Sequence, residues 1–136
     1  MFWWFKLTVD IAKEIPHVRI EVGRRVLEIL AKNYMPDMPT ETTKVAFRKR
    51  PAATQASPLQ RLTQQYSLDD TLYTALDFDS LDTIEFVMCM EDEFGISIPD
   101  GNIYQDSTLR KVLMYVGDNA PSDYRPSRSI PSVRRN

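Results

Sequence analysis

Cysteine is almost missing from this chain of 136 residues. Cys89 stands alone, so no disulfide can form within the chain, and a reducing compartment is expected. Histidine is equally scarce. His17 follows Pro16 with no cysteine, second histidine or paired carboxylate nearby in sequence, which speaks against a metal site and for a surface or helix-start residue. No apolar run approaches the roughly 18 residues that a membrane-spanning helix needs. The opening Met1-Phe2-Trp3-Trp4-Phe5-Lys6-Leu7-Thr8-Val9-Asp10 lacks a basic leader and turns polar too early for a secretory signal, so a cytoplasmic location is expected. Alternating strand patterns and internal repeats are also lacking.

Apolar residues make up 43% of the sequence, enough for a globular core, and the length suits one domain. The net charge of -2 conceals a split. Between Ser67 and Asp118 there are twelve acids against two bases, Arg110 and Lys111, while the remainder carries seven acids against fifteen bases. An acidic module with basic arms predicts a basic partner for the module and an anionic surface for the arms.

Leu7, Ile11 and Ile15 recur every four residues, which predicts a short helix over 3–15 that stops before Pro16. Val22, Val26, Ile29, Leu30 and Tyr34 share one helical face, with Arg24, Arg25, Glu28 and Lys32 expected to face water. Residues 37–66 read as an inserted loop, with one or two helical turns starting at Pro58. The triplet Arg48-Lys49-Arg50 within it is too weak a signal for nucleic acid, and no nucleic-acid partner is expected. Residues 118–136 read as a basic disordered tail. Ser107-Thr108 can cap a last helix with Leu109, Val112, Leu113 and Val116 on its apolar face. Short helices joined by long loops predict a small all-α bundle.

The best helix opens at Asp79-Ser80, runs to Phe94 and is closed by Gly95 and Pro99. At about 100° per residue, Phe86, Val87, Met90 and Phe94 form one stripe with Thr83 among them. Leu81, Ile84 and Met88 form a second, bracketed by Glu85, Glu91 and Asp92. Two readings of the second stripe stand level: another helix covers it, the N-terminal one for instance, or it is a docking surface whose acids steer a basic partner. Asp-Ser at a helix start is by itself a capping signal. Cys89, on the helix flank without a neighbouring cation, is expected to be a structural thiol.

The run from Asp79 through Asp100, Asp-Ser-Leu-Asp-Thr-Ile-Glu-Phe-Val-Met followed by Glu-Asp-Glu-Phe-Gly-Ile-Ser-Ile-Pro-Asp, resembles the acyl carrier proteins of dissociated (type II) fatty acid synthesis. The resemblance continues through Asp70–Leu76 and Thr108–Val116, covers about 50 residues strongly, and extends more weakly to a first helix at about 18–34. It implies a three- to four-helix bundle with a long loop between its first and second helices. It implies further that Ser80 is the attachment point for 4'-phosphopantetheine, with Asp79 its motif neighbour. Leu81, Ile84, Glu85, Met88, Glu91 and Asp92 become the partner-reading face. The implied partners are a phosphopantetheinyl transferase, a ketosynthase, an acyltransferase and other acyl-handling enzymes. The chain departs from the family pattern at Asp77, where glycine is usual, and carries roughly twenty extra residues before it. It also departs in the acid-poor segment Gly101–Gln105 and in its aromatic start.

The resulting expectation is a monomeric, non-enzymatic carrier with its domain at 17–117, preceded by an aromatic extension at 1–16. It would hold acyl thioesters in fatty acid, related lipid or polyketide synthesis. Phe2, Trp3, Trp4 and Phe5 would either pack on the bundle or touch a membrane surface. An unmodified adaptor using the acidic helix for protein contacts alone is the rival. An esterase-like or transferase enzyme using Ser80 as nucleophile lacks a histidine near it in sequence, the chain having only His17.

Overall fold

The computed structural model describes residues 6–35 and 58–133. Six helices lie among them: α1 Lys6–Glu14, α2 Ile20–Tyr34, α3 Pro58–Gln65, α4 Leu72–Leu76, α5 Ser80–Phe94 and α6 Leu109–Asn119. The described residues form no strand, only an isolated antiparallel bridge between Thr71 and Thr108. The described residues thus form a small all-α bundle of the acyl-carrier type. Its helix count exceeds three to four because short pieces join it: α1, α3 and α4 have nine, eight and five residues.

Helix α2 lies at the centre because its apolar stripe meets three neighbours. Val22, Val26, Ile29 and Leu30 are fully buried, as are Leu109, Val112, Leu113 and Val116 of α6. Leu7, Ile11 and Ile15 are buried too, and α1 packs on α2 and α3. Each such side chain contributes about 1.5–3 kcal/mol. Arg110 ties α6 back to the start of the chain, through Glu14 Oε1 at 2.6 Å and Asp69 Oδ1 at 3.0 Å. The hydrogen bond from Arg110 holds the Asp69 carboxyl below its ordinary range. Thr108 caps α6 by accepting from the Lys111 N–H at 3.1 Å.

Two expectations require correction. The segment 121–133 is not a loose tail but runs back along α2, where the cap residue Arg19 and side chains of the helix donate to its backbone carbonyls. Arg19 reaches the carbonyls of Pro121 (3.1 Å) and Tyr124 (3.0 Å), and Lys32 reaches that of Ile130 at 2.6 Å. Asn33 donates to Pro131 O at 3.1 Å and accepts from the Val133 N–H at 2.9 Å. A proline- and serine-rich segment makes no helix, so its carbonyls remain for external donors. Arg25, in turn, does not face water. It is 3% exposed, donates to Ser127 O and to Ser129 O at 3.0 Å, and has its Nε 3.6 Å from Glu93. Of the expected inserted loop, residues 36–57 lie outside the described residues, and 58–65 are α3. The aromatic residues 2–5 also lie outside them.

Tyr124 completes this anchor. Its hydroxyl donates to Glu93 and its ring packs on Phe94 with centroids 4.7 Å apart. Burial, then the bond to Glu93, pushes its pKa upward. The unfolded chain therefore loses this proton at lower pH than the folded one, so stability falls as pH rises past the ordinary tyrosine value of about 10. Tyr124→Phe is expected to flatten the decline of urea midpoint between about pH 9 and 12 relative to wild type. Parallel declines would show that Tyr124 titrates alike in both states.

Candidate functional site

The entry to α5 is built by a left-handed turn, an aromatic plug and a cap. Asp77 closes α4 at φ 57°, its N–H donating to Leu72 O and Tyr73 O. Aspartate tolerates this region better than most residues, which explains how it stands where glycine is usual. Phe78 is fully buried against Tyr34 (4.4 Å between centroids) and edge-on to Phe86 (5.7 Å). Asp79 then caps α5 reciprocally: its Oδ1 accepts from the Asp82 N–H at 2.8 Å, and Asp82 Oδ2 accepts from the Asp79 N–H at 3.1 Å.

Ser80 follows as the first residue of this 15-residue helix and is exposed. It sits at the positive end of the helix dipole, where a phosphate ester is favoured. Asp79 is not aimed at Ser80 as a base, because its carboxylate is engaged in the cap. His17 lies 3.6 Å from Asp118 and is far in sequence from the serine. The described residues thus assemble no triad at Ser80.

Helix α5 presents two apolar stripes to different surroundings. Phe86 and Met90 are 0% exposed and Phe94 2%, while Leu81, Ile84 and Met88 are 61%, 56% and 53% exposed. Helix α1 does not cover the second stripe, since it packs on α2 and α3. Glu85 lies half-buried and Asp92 exposed beside that stripe. Glu91 turns inward instead: its Oε2 accepts from the Ile98 N–H at 2.7 Å and holds the chain after Gly95. Gly95 needs its φ of 66° to end the helix, with its N–H on Glu91 O at 2.9 Å. Cys89 is buried, and its thiol is pushed up first by burial and then by Glu93 and Asp92, which makes it a poor nucleophile.

A cleft of about 460 Å³ begins at Ser80 and runs between α5 and the 98–105 segment. Thr83, Ile84, Val87 and Met88 line one side, Ile98 and Ile103 the other. The 101–105 segment forms no helix, only turns such as Asn102 N–H to Pro99 O at 3.2 Å. A flexible arm on Ser80 has both a solvent exit and an apolar cleft beside it, so the residues present fit such a group.

Residues 58–116 match the family described as Phosphopantetheine attachment site. Over this segment the chain is similar to that family. No solved structure matches the chain. The attachment domain takes in α3, α4, α5 and most of α6, and its prosthetic group is 4'-phosphopantetheine. The matched residues leave out α2, although the resemblance of its apolar spacing pointed to the family's first helix. Domains of this kind generally serve as carriers and are handled by phosphopantetheinyl transferases and acyl-processing enzymes. Among the described residues no group of three or more His, Cys, Asp or Glu is placed to hold a metal ion. No described helix is long and apolar enough to cross a membrane.

What the attachment domain rests on was hidden in the sequence. Arg25 and Lys32, seven residues apart, share a helical face, and that spacing was the one signal of a strip that grips the C-terminal segment.

Proposed function

We propose that this chain is an acyl carrier protein in which Ser80 carries the 4'-phosphopantetheine arm and passes acyl thioesters among the enzymes of fatty acid, related lipid or polyketide synthesis. The exposed Ser80 hydroxyl at the start of α5, inside the matched domain and at the mouth of the cleft, carries this reading. The arm supplies the thiol that buried Cys89 does not.

The chemistry of loading belongs to the transferase. Ser80 Oγ attacks the pyrophosphate of coenzyme A. One O–P bond forms, the bond to the adenosine bisphosphate leaving group breaks, and the hydroxyl proton passes to a base of the transferase, whose own magnesium ion balances the phosphate charge. The carrier's part is to present the hydroxyl. Asp79 holds the helix start, Phe78 and Phe86 hold the turn below it, and Leu81, Ile84 and Met88 with Glu85 and Asp92 offer the partner an apolar strip rimmed by acids. Glu91 acts in the fold more than at this rim. We place the carrier unit at 17–117, with α1 and the 121–133 segment packed on it, as a cytoplasmic monomer.

Intact mass after incubation with coenzyme A and a phosphopantetheinyl transferase is expected to rise by one arm. No gain with several transferases favours the unmodified adaptor. Met88→Ala and Glu85→Lys are each expected to raise the transferase KM about threefold to tenfold without altering helicity, with the charge effect shrinking in raised salt. Unchanged KM in both would remove this face from recognition.

A further inference from the structure

The C-terminal segment lies outside the residues matched to the family, yet Pro131 and Ser132 lie beside the exposed face of α5. Pro131 and Ser132 form one wall of a notch of about 220 Å³ whose other wall is Glu85, Met88, Cys89 and Asp92. Met88 also lines the cleft that begins at Ser80, so notch and exposed stripe are continuous. The wall is held in place: Lys32 grips Ile130 O, Asn33 bonds both Pro131 O and the Val133 N–H, and Val133 is buried.

Resting on the carrier reading above, we propose that this segment is part of the partner-docking surface, and that the notch receives a lysine or arginine side chain of the docked enzyme. The match is chemical. Met88 and Pro131 offer apolar surface to an aliphatic stem, and the exposed Asp92 carboxylate stands at the rim for the charged head. The whole 67–118 module, with twelve acids and two bases, biases the approach toward a basic partner.

The segment therefore acts as a specificity element: an enzyme that reads α5 reads Pro131 and Ser132 with it. The test uses the full chain and transfer of phosphopantetheine from coenzyme A by a broad-specificity phosphopantetheinyl transferase. Ser132→Arg is expected to raise the KM for the carrier about threefold to tenfold with kcat unchanged, and Ser132→Glu to lower it, both differences shrinking in raised salt. Opposite signs at one exposed position separate a docking role from a loosened fold, which would move both variants the same way. Equal KM in both variants, or shifts of one sign, overturns the proposal while leaving the carrier reading intact. Failure of the wild-type chain to load at all overturns the carrier reading, and this proposal with it, by a different signature.

Discussion

Ser80→Ala is expected to give a folded chain that takes up no phosphopantetheine. Ser80 occupies the first helical position, whereas the cap is carried by Asp79 through its bond to the Asp82 N–H at 2.8 Å. Removing the hydroxyl therefore leaves the cap in place and costs less than the ~1 kcal/mol of a lost N-cap. Its circular dichroism and urea midpoint should match wild type. Labelling by a fluorescent coenzyme A analogue in the presence of a transferase should fall to background. A labelled alanine variant would move the attachment point to another residue of the attachment domain.

Phe86→Ala is expected to cost about 3–5 kcal/mol, against about 0.5 kcal/mol or less for Met88→Ala two residues away. Phe86 is fully buried, edge-on to Phe78 at 5.7 Å and to Tyr34 at 6.2 Å between centroids, so truncation opens a cavity among rings with no room to relax. Met88 is 53% exposed, and its loss removes little packing. Urea unfolding followed by circular dichroism measures both. The same pair should reverse rank in transferase KM, once Phe86→Ala is assayed well below its melting temperature. A larger stability loss at Met88 than at Phe86 would mean that the two stripes of α5 are wrongly assigned.

Much of the architecture was legible in short-range spacing. Leu7, Ile11 and Ile15, the stripe from Val22 to Leu30, and the Leu109–Val116 face are each buried, because a helix turns one residue set toward the core regardless of what lies opposite. Caps were legible for the same local reason: Thr108 bonds three residues ahead, and Gly95 ends α5 in a left-handed conformation that glycine adopts without strain. The 100° spacing also separated Phe86 from Met88 without reference to any partner. It did not decide whether the Met88 stripe was covered, since covering depends on where other helices go.

Only the tertiary structure decided that α1 packs on α2 and α3 and leaves Ile84 and Met88 exposed. It also showed Glu91 facing inward to the Ile98 N–H, and the 98–105 turns standing opposite α5 to make a cleft at Ser80. The C-terminal segment is the clearest instance. Its proline and arginine content reads as solvated chain, and Arg25 reads as a solvent-facing base, because the partners that bury them lie far away in sequence. Brought together across about a hundred residues of sequence, they satisfy one another: guanidinium donors meet the carbonyls of a segment without a helix of its own, at Ser127, Ser129 and Tyr124. Such pairing depends on which surfaces meet in space, and no periodicity encodes it.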